Sequence, residues 1–376
     1  MSLSSGDEKM TAGKIRIAVV GLGNFGQTWA AAYAALPDVA HVGICEPDER
    51  LLNTVGNKLG IERRHGDLAS VLASDEYDAV HLVTPIPLHV EQSIAVMKSG
   101  KHCACAIPMA LSLEDVDRVV ATKTETGQTY MLMETEIASA ACLYVRRLYR
   151  DGAFGDLQLM RGVHYQNMEG WPDYWRGLPP MYYCYHGLGP LLHVTGCTVA
   201  GVQCRGSGTL PEEERQYGSP YTTESAVFEL TGLDAICEIT ASFHRFARSF
   251  LSDRFYLYGS RLSFESPQIA GENPVVFEAE TGVLPDGQRG RKVSVKRMDL
   301  PPMADLVPDA IAEVVRTSQI RRQTGIPMAH EFVRSIVEHR PPAVDVFTAA
   351  NWTAAGVCAH ESAMRNGEHM AVPYCE

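Results

Sequence analysis

Residues 21 to 26, Gly21-Leu22-Gly23-Asn24-Phe25-Gly26, carry the spacing G-x-G-x-x-G. Gly21 permits a tight turn, Gly23 lets a main chain approach a pyrophosphate, and Gly26 lets a helix pack on a strand. Alone, such a run is a weak signal. Here it follows the apolar stretch KIRIAVVG, opens the helix-forming NFGQTWAAAYAAL and stands twenty residues before Glu46, which ends the strand AHVGIC. That context makes it a dinucleotide loop, with the helix N-terminus turning free N–H groups and a positive dipole end to the phosphates. Glu46 can accept both hydroxyls of the adenosine ribose, and its charge repels a 2′-phosphate. The expected cofactor is therefore NAD rather than NADP.

A second set of residues can move protons. His186, in YYCYHGLGP, precedes a helix whose first residue is expected at Pro190, which leaves it in the entering loop. An imidazole with a pKa near ~6.5 gives or takes a proton at neutral pH. His193 follows on the same helix face and reads as packing or support. His164 and Tyr165 sit on a strand and point to opposite faces, so one at most enters a cleft. His164 is either a second polar group there or a solvent-facing sheet residue. Glu134 ends a strand and either contacts the nicotinamide ribose or bridges a domain junction. His89 opens a helix after Pro87 and reads as a cap near the cofactor. Cys103 and Cys105 alternate with alanine as a metal pair would. No second ligand pair has suitable spacing, which favours small core residues.

These side chains need a scaffold. From residue 14 to 135 strands and helices alternate: DAVHLVT, PLHVEQSIAVMKSG, KHCACA, LEDVDRVVATKTETG and QTYMLM continue the series. Continuously apolar strands between helices imply a doubly wound parallel sheet covered on both faces. Ser112 and Asp115 have the spacing of a capping box. From Gly155 the grammar changes. GDLQLMRGVHYQ, SAVFELTG, AICEITASF, RFYLYGSRLSFES, PVVFEAE and RKVSVKRMDL are consecutive strands with turn residues between them, which implies a largely antiparallel sheet. Helices precede it (ASAACLYVRRLYRDG), interrupt it (GPLLHVTG) and follow it. The expected division is a tail over 1–13, a Rossmann domain over 14–135 and an α+β domain over 136–376 whose last helix packs back on the first domain, with the cleft between them.

Composition narrows the function classes. The chain has 376 residues, 45% hydrophobic and 21% charged, with a formal net charge of −12. That balance argues against a nucleic-acid or anionic-membrane surface. No apolar run approaches the ~18 residues of a membrane span. Ten cysteines without C-x-x-C pairs read as reduced and buried, as in a cytoplasmic protein.

With VTPIPLH at 83–89, the run GKHCACAIPMALSLEDV at 100–116, RRLYRDGAFGDL at the junction and the tail from EFVRSIVEHRPP onward, the chain resembles the glucose–fructose oxidoreductase / inositol dehydrogenase (Gfo/Idh/MocA) family. The resemblance implies a Rossmann domain joined to an open-faced sheet domain, sugar or cyclitol substrates, and homodimers or homotetramers packed through the sheets. It places Thr84, Pro85, Ala106, Ile107, Glu134 and Thr135 along the cofactor. Two motifs depart from the family. Its Glu-Lys-Pro, whose lysine assists proton transfer, is Ala106-Ile107-Pro108 here. Its Asp-x-Gly-x-His-x-x-Asp becomes HGLGPLLH, with His186 at the first Asp, Pro190 at the His and His193 at the last Asp.

YYCYHGLGP is instead similar to the Y-P-T-H-G-L-G-P stretch of the family's NAD-dependent glycosidase branch. That similarity implies that Tyr183 to His186, Tyr185 included, line the site with His186 as acid/base. Thr135 stands where that branch has Asn, and Ala138 where it has a tyrosine. Trp171 and Trp175 can offer a stacking face for a sugar ring and Arg176 a donor, although plain loop packing explains them equally. Three functions follow. A sugar dehydrogenase comes first, then a redox-neutral glycosidase with bound NAD, then a non-catalytic NAD- or sugar-binding protein.

Overall fold

The computed structural model describes residues 13–243, 251–269, 271–280, 290–320 and 323–374. The expected tail lies outside them except for Gly13. The apolar strands β1 (Ile15–Val20), β2 (Val39–Cys45), β3 (Arg64–His65), β4 (Ala79–Leu82), β5 (His102–Cys105) and β6 (Tyr130–Leu132) form one sheet in the order β3-β2-β1-β4-β5-β6. Every neighbouring pair is parallel. The order reverses between β1 and β4, which opens a crevice at the carboxyl ends of those strands.

Helices α1 (Asn24–Ala34), α2 (Glu49–Leu59), α3 (Leu68–Ala73), α4 (His89–Lys98) and α5 (Leu113–Thr126) connect the strands. Asp48 caps α2 through the N–H groups of Arg50 and Leu51, and Gly60 ends it at φ 68°. Ser112 Oγ accepts from Asp115 N at 3.2 Å at the start of α5, while the Asp115 carboxylate pairs with Arg118 at 2.8 Å. The sequence pattern passes over β3 and α3. They are two and six residues long, too short to show a period.

The second sheet is built from β7 (Leu157–Gln166), β8 (Val199–Ser207), β9 (Thr223–Leu230), β10 (Ile236–Ser242), β11 (Leu251–Gly259), β12 (Leu262–Glu265), β13 (Val275–Ala279), β14 (Val293–Arg297) and β15 (Met370–Ala371), with α6 (Ala140–Arg150) before it. Its order is β14-β13-β12-β11-β7-β10-β9-β8-β15. β7 and β10 run parallel and every other neighbouring pair antiparallel. β8 was not expected, because Gly201 and Gly206 break the alternation of VAGVQCRGS.

Helix α7 (Tyr185–Thr195) corrects the sequence reading: it begins at Tyr185, not at Pro190. A 3-10 turn over Pro180–Tyr183 runs straight into it through Cys184, already in the right-handed helical region. Pro190 is the sixth residue of the helix and removes only the bond its N–H would make to the His186 carbonyl. α7 presses on β7 where two glycines meet. A Cβ added to Gly162 would lie 2.2 Å from the Gly187 oxygen.

Three more helices complete the fold: α8 (Asp309–Thr317), also unforeseen, α9 (Gly325–Val337) and α10 (Val346–Met364). α9 packs on α1, and α10 lies between β8 on one side and α5 and β6 on the other. Leu132 N of β6 donates to Val344 O at 3.0 Å just ahead of α10. No helix among the described residues is long and apolar enough to cross a membrane.

Replacing Gly162 by alanine forces the Gly187 backbone away and should destabilise the protein by about 1–3 kcal/mol. Thermal denaturation checks this, and an unchanged midpoint would show that α7 does not depend on the contact.

Candidate active site

At the reversal of the first sheet the glycine loop has the shape a dinucleotide needs. Gly21 adopts φ +90°, and an added Cβ would meet Val83 O at 2.5 Å; on Gly26 it would lie 1.8 Å from Gly21 O. A Cβ on Gly23 would meet nothing within 4 Å, so the main chain there is open to an approaching group. Gly23 is the N-cap of α1, no side chain caps the helix, and its first turn, including the exposed Asn24 and Phe25, holds no acid. These features suit a pyrophosphate. Glu46, at the end of β2, is anchored beside the loop by Leu22 N at 2.8 Å. Its placement fits the adenosine ribose.

The neighbouring strand ends are apolar or braced. Thr84 Oγ donates to Gln92 Oε1 at 2.6 Å, and Pro85 leads a 3-10 turn over Ile86–Leu88. His89, expected along the cofactor, is buried, with Nδ1 2.7 Å from Pro108 O and Nε2 2.9 Å from Thr84 O. Both nitrogens are spent on carbonyls, so His89 ties the ends of β4 and β5 together rather than touching a ligand. Burial pulls its pKa down, but Cys105 and the two carbonyls outweigh that and raise it to about 9. Ile107 is buried and Ala106 half-buried, so the two residues that follow β5 offer no proton-exchanging group. Thr135 is buried, and its hydroxyl has no partner among the described residues.

The side chains able to exchange a proton come from elsewhere. Glu134, just past β6, is fully buried, and its Oε1 accepts from Glu136 N at 2.8 Å and lies 2.7 Å from His186 Nδ1. It therefore bridges the two halves of the chain. His186 is the second residue of α7, not a loop residue. Because α7 meets β7 at Gly162, His186 comes to the side of β7 that carries His164, two residues on. The ring centroids are 5.0 Å apart. His164 is buried rather than solvent-facing, and its Nδ1 lies 2.5 Å from Oδ1 of Asp253, its cross-strand neighbour on β11. The site thus holds two histidine–carboxylate pairs side by side. Glu134 Oε2 and His164 Nε2 have no partner among the described residues. Of the two imidazoles, only His186 keeps accessible surface, 11% of its side chain.

Aromatic rings wall these pairs. Tyr183 lies 5.5 Å from His164 and 5.4 Å from His186, Phe243 lies 5.6 Å from His164, and Trp175 lies 4.9 Å from Tyr183. Trp175, Ile86 and Leu178 are buried together, which joins this loop to the turn after β4. Tyr185 does not line the site: its hydroxyl donates to Thr353 Oγ at 2.8 Å in the core beside α10. Arg176 pairs with Asp173 at 2.7 Å and lines a groove together with Trp171 and Trp175. His193 sits on the face of α7 toward α6, where its carbonyl accepts from Arg146 at 3.1 Å, consistent with a packing role.

Two partners escaped the sequence reading. Asp253 precedes Phe255 and Leu257 at two-residue spacing, and both are buried, so an acid on the apolar face of a strand was the available signal. Glu224 accepts from Met181 N at 2.8 Å through one oxygen and lies 2.6 Å from His360 Nδ1 through the other. This buried pair holds the turn that carries Tyr183. Nothing in the local pattern marks it, since its members are 136 residues apart.

The sequence profile described as "Oxidoreductase family, NAD-binding Rossmann fold" (Gfo/Idh/MocA) matches residues 15–134. That segment, about a third of the chain, is similar to the NAD-binding domain of the Gfo/Idh/MocA oxidoreductase family. Among curated proteins, the chain is 31% identical over 166 residues to 4-carboxy-2-hydroxymuconate-6-semialdehyde dehydrogenase of Sphingobium sp., covering 43% of this chain and 53% of that one. It is 26% identical over 194 residues to a glycosyl hydrolase family 109 protein of Porphyromonas gingivalis, covering 47% and 42%. The chain thus spans about half the length of the curated relatives it matches. A levoglucosan dehydrogenase solved with NADH and L-sorbose superposes with a TM-score of 0.78 at 19% identity, over 96% of this chain and 99% of that one. That likeness is one of fold.

Burial alone would pull the His186 imidazolium down, but the carboxylates of Glu134, Asp253 and Glu136 outweigh it and raise its pKa to about 9. The raised value means that the charged pair stabilises the fold fully below the ordinary histidine pKa of ~6.5 and that this contribution is lost as pH rises through about 9. Glu134→Gln should bring the His186 titration, followed by NMR, well below 9 and flatten that part of the stability–pH curve. An unmoved titration would show that Glu134 does not control the charge.

Proposed function

We propose that the protein is an NAD-dependent oxidoreductase acting on a carbinol of a sugar or cyclitol, with His186 exchanging the hydroxyl proton and Glu134 orienting it. The 2.7 Å pair between His186 and Glu134, beside the carboxyl edge of the dinucleotide-binding sheet, is the observation that carries this reading. NAD, bound along Gly21–Gly26 and Glu46, would supply the hydride acceptor. With Nδ1 engaged by Glu134, Nε2 of His186 is the nitrogen left to take the proton of a substrate hydroxyl as the C–H bond gives up its electron pair. In the reverse direction the same nitrogen returns the proton to the oxygen of a carbonyl. Its raised pKa keeps His186 protonated at neutral pH, so reduction is favoured there and oxidation should accelerate as pH rises toward 9. The exposed Val227 and Ile236 on the outer face of β9 and β10 support assembly into a homo-oligomer through the second sheet.

A second reading is favoured by His164, 5.0 Å from His186 and paired with its own acid. Redox-neutral glycoside cleavage needs a base for a C–H beside a transient ketone and an acid for the departing group, and two imidazoles can divide those tasks. The partial similarity to glycosyl hydrolase family 109 proteins and the apolar Ile107 point the same way.

His186→Ala should lower turnover by ~10²–10⁴-fold while leaving NAD affinity, measured by calorimetry, nearly unchanged. Full turnover in the variant would remove His186 from the chemistry. The same calorimetry on the wild type should show tighter binding of NAD than of NADP, and equal binding would refute the role given to Glu46. Assays on free sugars and chromogenic glycosides then separate the two readings. Stoichiometric NADH from a free sugar establishes the dehydrogenase, whereas aglycon release without NADH establishes the glycosidase.

A further inference from the structure

The charge on His89 follows from its partners. Its two ring nitrogens face main-chain carbonyl oxygens, Pro108 O at 2.7 Å and Thr84 O at 2.9 Å. A carbonyl oxygen only accepts, and a neutral imidazole carries a single N–H. Both bonds therefore form only when the ring is the doubly protonated cation. The side chain is buried, and among the described residues no carboxylate hydrogen-bonds to it. A cation so placed needs a counter-charge.

Cys105, the last residue of β5, can supply one. Burial opposes the charge on His89, and the Cys105 sulfur is the strongest of the groups that favour it. Ser93 of α4 and Tyr130 of β6 are also buried; their hydroxyls have no oxygen or nitrogen partner among the described residues, and both act on the same sulfur. Such donors are better satisfied by a thiolate than by a thiol. Against its burial, His89 and these hydroxyls bring Cys105 below the ordinary thiol value. The other titratable neighbours stay neutral, since burial pulls His81 down to about 3 and pushes Cys103 and Tyr130 up.

The two charges are unevenly placed. Thr84 and Pro108 stand past the carboxyl ends of β4 and β5, whereas Cys105 is still within its strand. The positive end thus faces the crevice. The end of β4 also abuts the glycine loop, where a Cβ added to Gly21 would meet Val83 O at 2.5 Å and Thr84 N at 3.3 Å. That loop carries no lysine or arginine of its own.

We propose that His89 and Cys105 form a buried imidazolium–thiolate pair, made by passing the thiol proton to the ring, whose positive end attracts the pyrophosphate of a dinucleotide in the crevice. His89 is then a positioning residue that acts at a distance and touches no ligand. The proposal rests on the reading of the crevice as an NAD site and adds a source of charge to it.

Nitrogen-15 NMR of the whole protein at about pH 7.5 should show a proton on both ring nitrogens of His89. Absorbance near 240 nm should show one more thiolate in the wild type than in Cys105→Ser. A single protonated nitrogen, or equal thiolate absorbance, would overturn the pair. His89→Gln, which cannot carry the charge, should weaken NADH binding about tenfold by calorimetry. Adenosine, which has no phosphate, should bind both proteins alike. Unchanged NADH affinity, or adenosine weakened as much as NADH, would overturn the role in binding. Circular dichroism and a thermal melt establish that His89→Gln is folded. Should it not be, Cys105→Ser takes its place: the His89 titration should move down, and NADH affinity should fall at the shifted value. An unmoved titration, or an affinity that does not follow it, would overturn the proposal. A wild type that shows the pair but binds neither NAD nor NADH would overturn the NAD reading, and the binding role with it.

Discussion

Glu134 is a carboxylate with no exposed surface, and a charge so placed is tolerated only with a partner. Its partner is on the other half of the chain. The bond to His186 therefore ties the end of the last parallel strand to the first turn of α7, and the neighbouring geometry accommodates it. Gly189 leaves room for Glu134 and Trp352, since a Cβ there would lie 3.1 Å from the Glu134 side chain and 3.0 Å from the Trp352 ring. Gly162 and Gly187 let helix and strand approach closely enough for His164 to reach the same spot. Breaking the pair by neutralising one member leaves the other buried and unmatched, so the chemistry of the site and the packing of the junction depend on the same contact.

The pairing logic recurs in the sheet domain, with a different degree of exposure each time. His164 and Asp253 face each other across two antiparallel strands, where register alone places them. His360 and Glu224 are fixed by a long helix lying on the sheet, and the second oxygen of Glu224 holds the Met181 backbone. Each histidine is given an orientation by its acid, as imidazoles in catalytic and metal sites generally are. The pair with accessible imidazole surface beside the aromatic wall is the one best placed for chemistry.

Much of this was legible in the chain. The first sheet follows from uninterrupted apolar strands between helices with visible caps, and the glycine loop follows from its position between a strand and a helix. Glu134, His164 and His186 stand out because polar residues at strand ends and on inward faces violate the apolar pattern. Their mutual contact was not legible, because it depends on a glycine–glycine approach between residues 162 and 187 that no local period encodes. The start of α7 was misread because proline at the first helical position is so common that Pro190 looked like a beginning. The helix in fact starts five residues earlier, from a preceding 3-10 turn, and absorbs the proline. Tyr185 was assigned to the site with its neighbours, yet a helix turns about 100° per residue and sends it into the core. β8 and α8 were missed for simpler reasons: glycines blur the alternation of one, and the other is a short helix beside a run of loop residues.

Pro190 has one more implication. His186 and Pro190 are four residues apart on α7, so they lie on one face of the helix, about 6 Å apart along its axis. In the family's Asp-x-Gly-x-His-x-x-Asp motif, from which this stretch departs, the histidine stands at the position Pro190 occupies. A ligand posed as that motif demands would meet a saturated ring with no mobile hydrogen, and the group able to serve it would be a full helical turn away, toward the N-terminus of α7. Ligand poses from enzymes that keep the histidine therefore cannot be carried over by superposition. With His186 in the role proposed for it, the reacting carbon would be offset by about one turn of helix from the place that motif gives it.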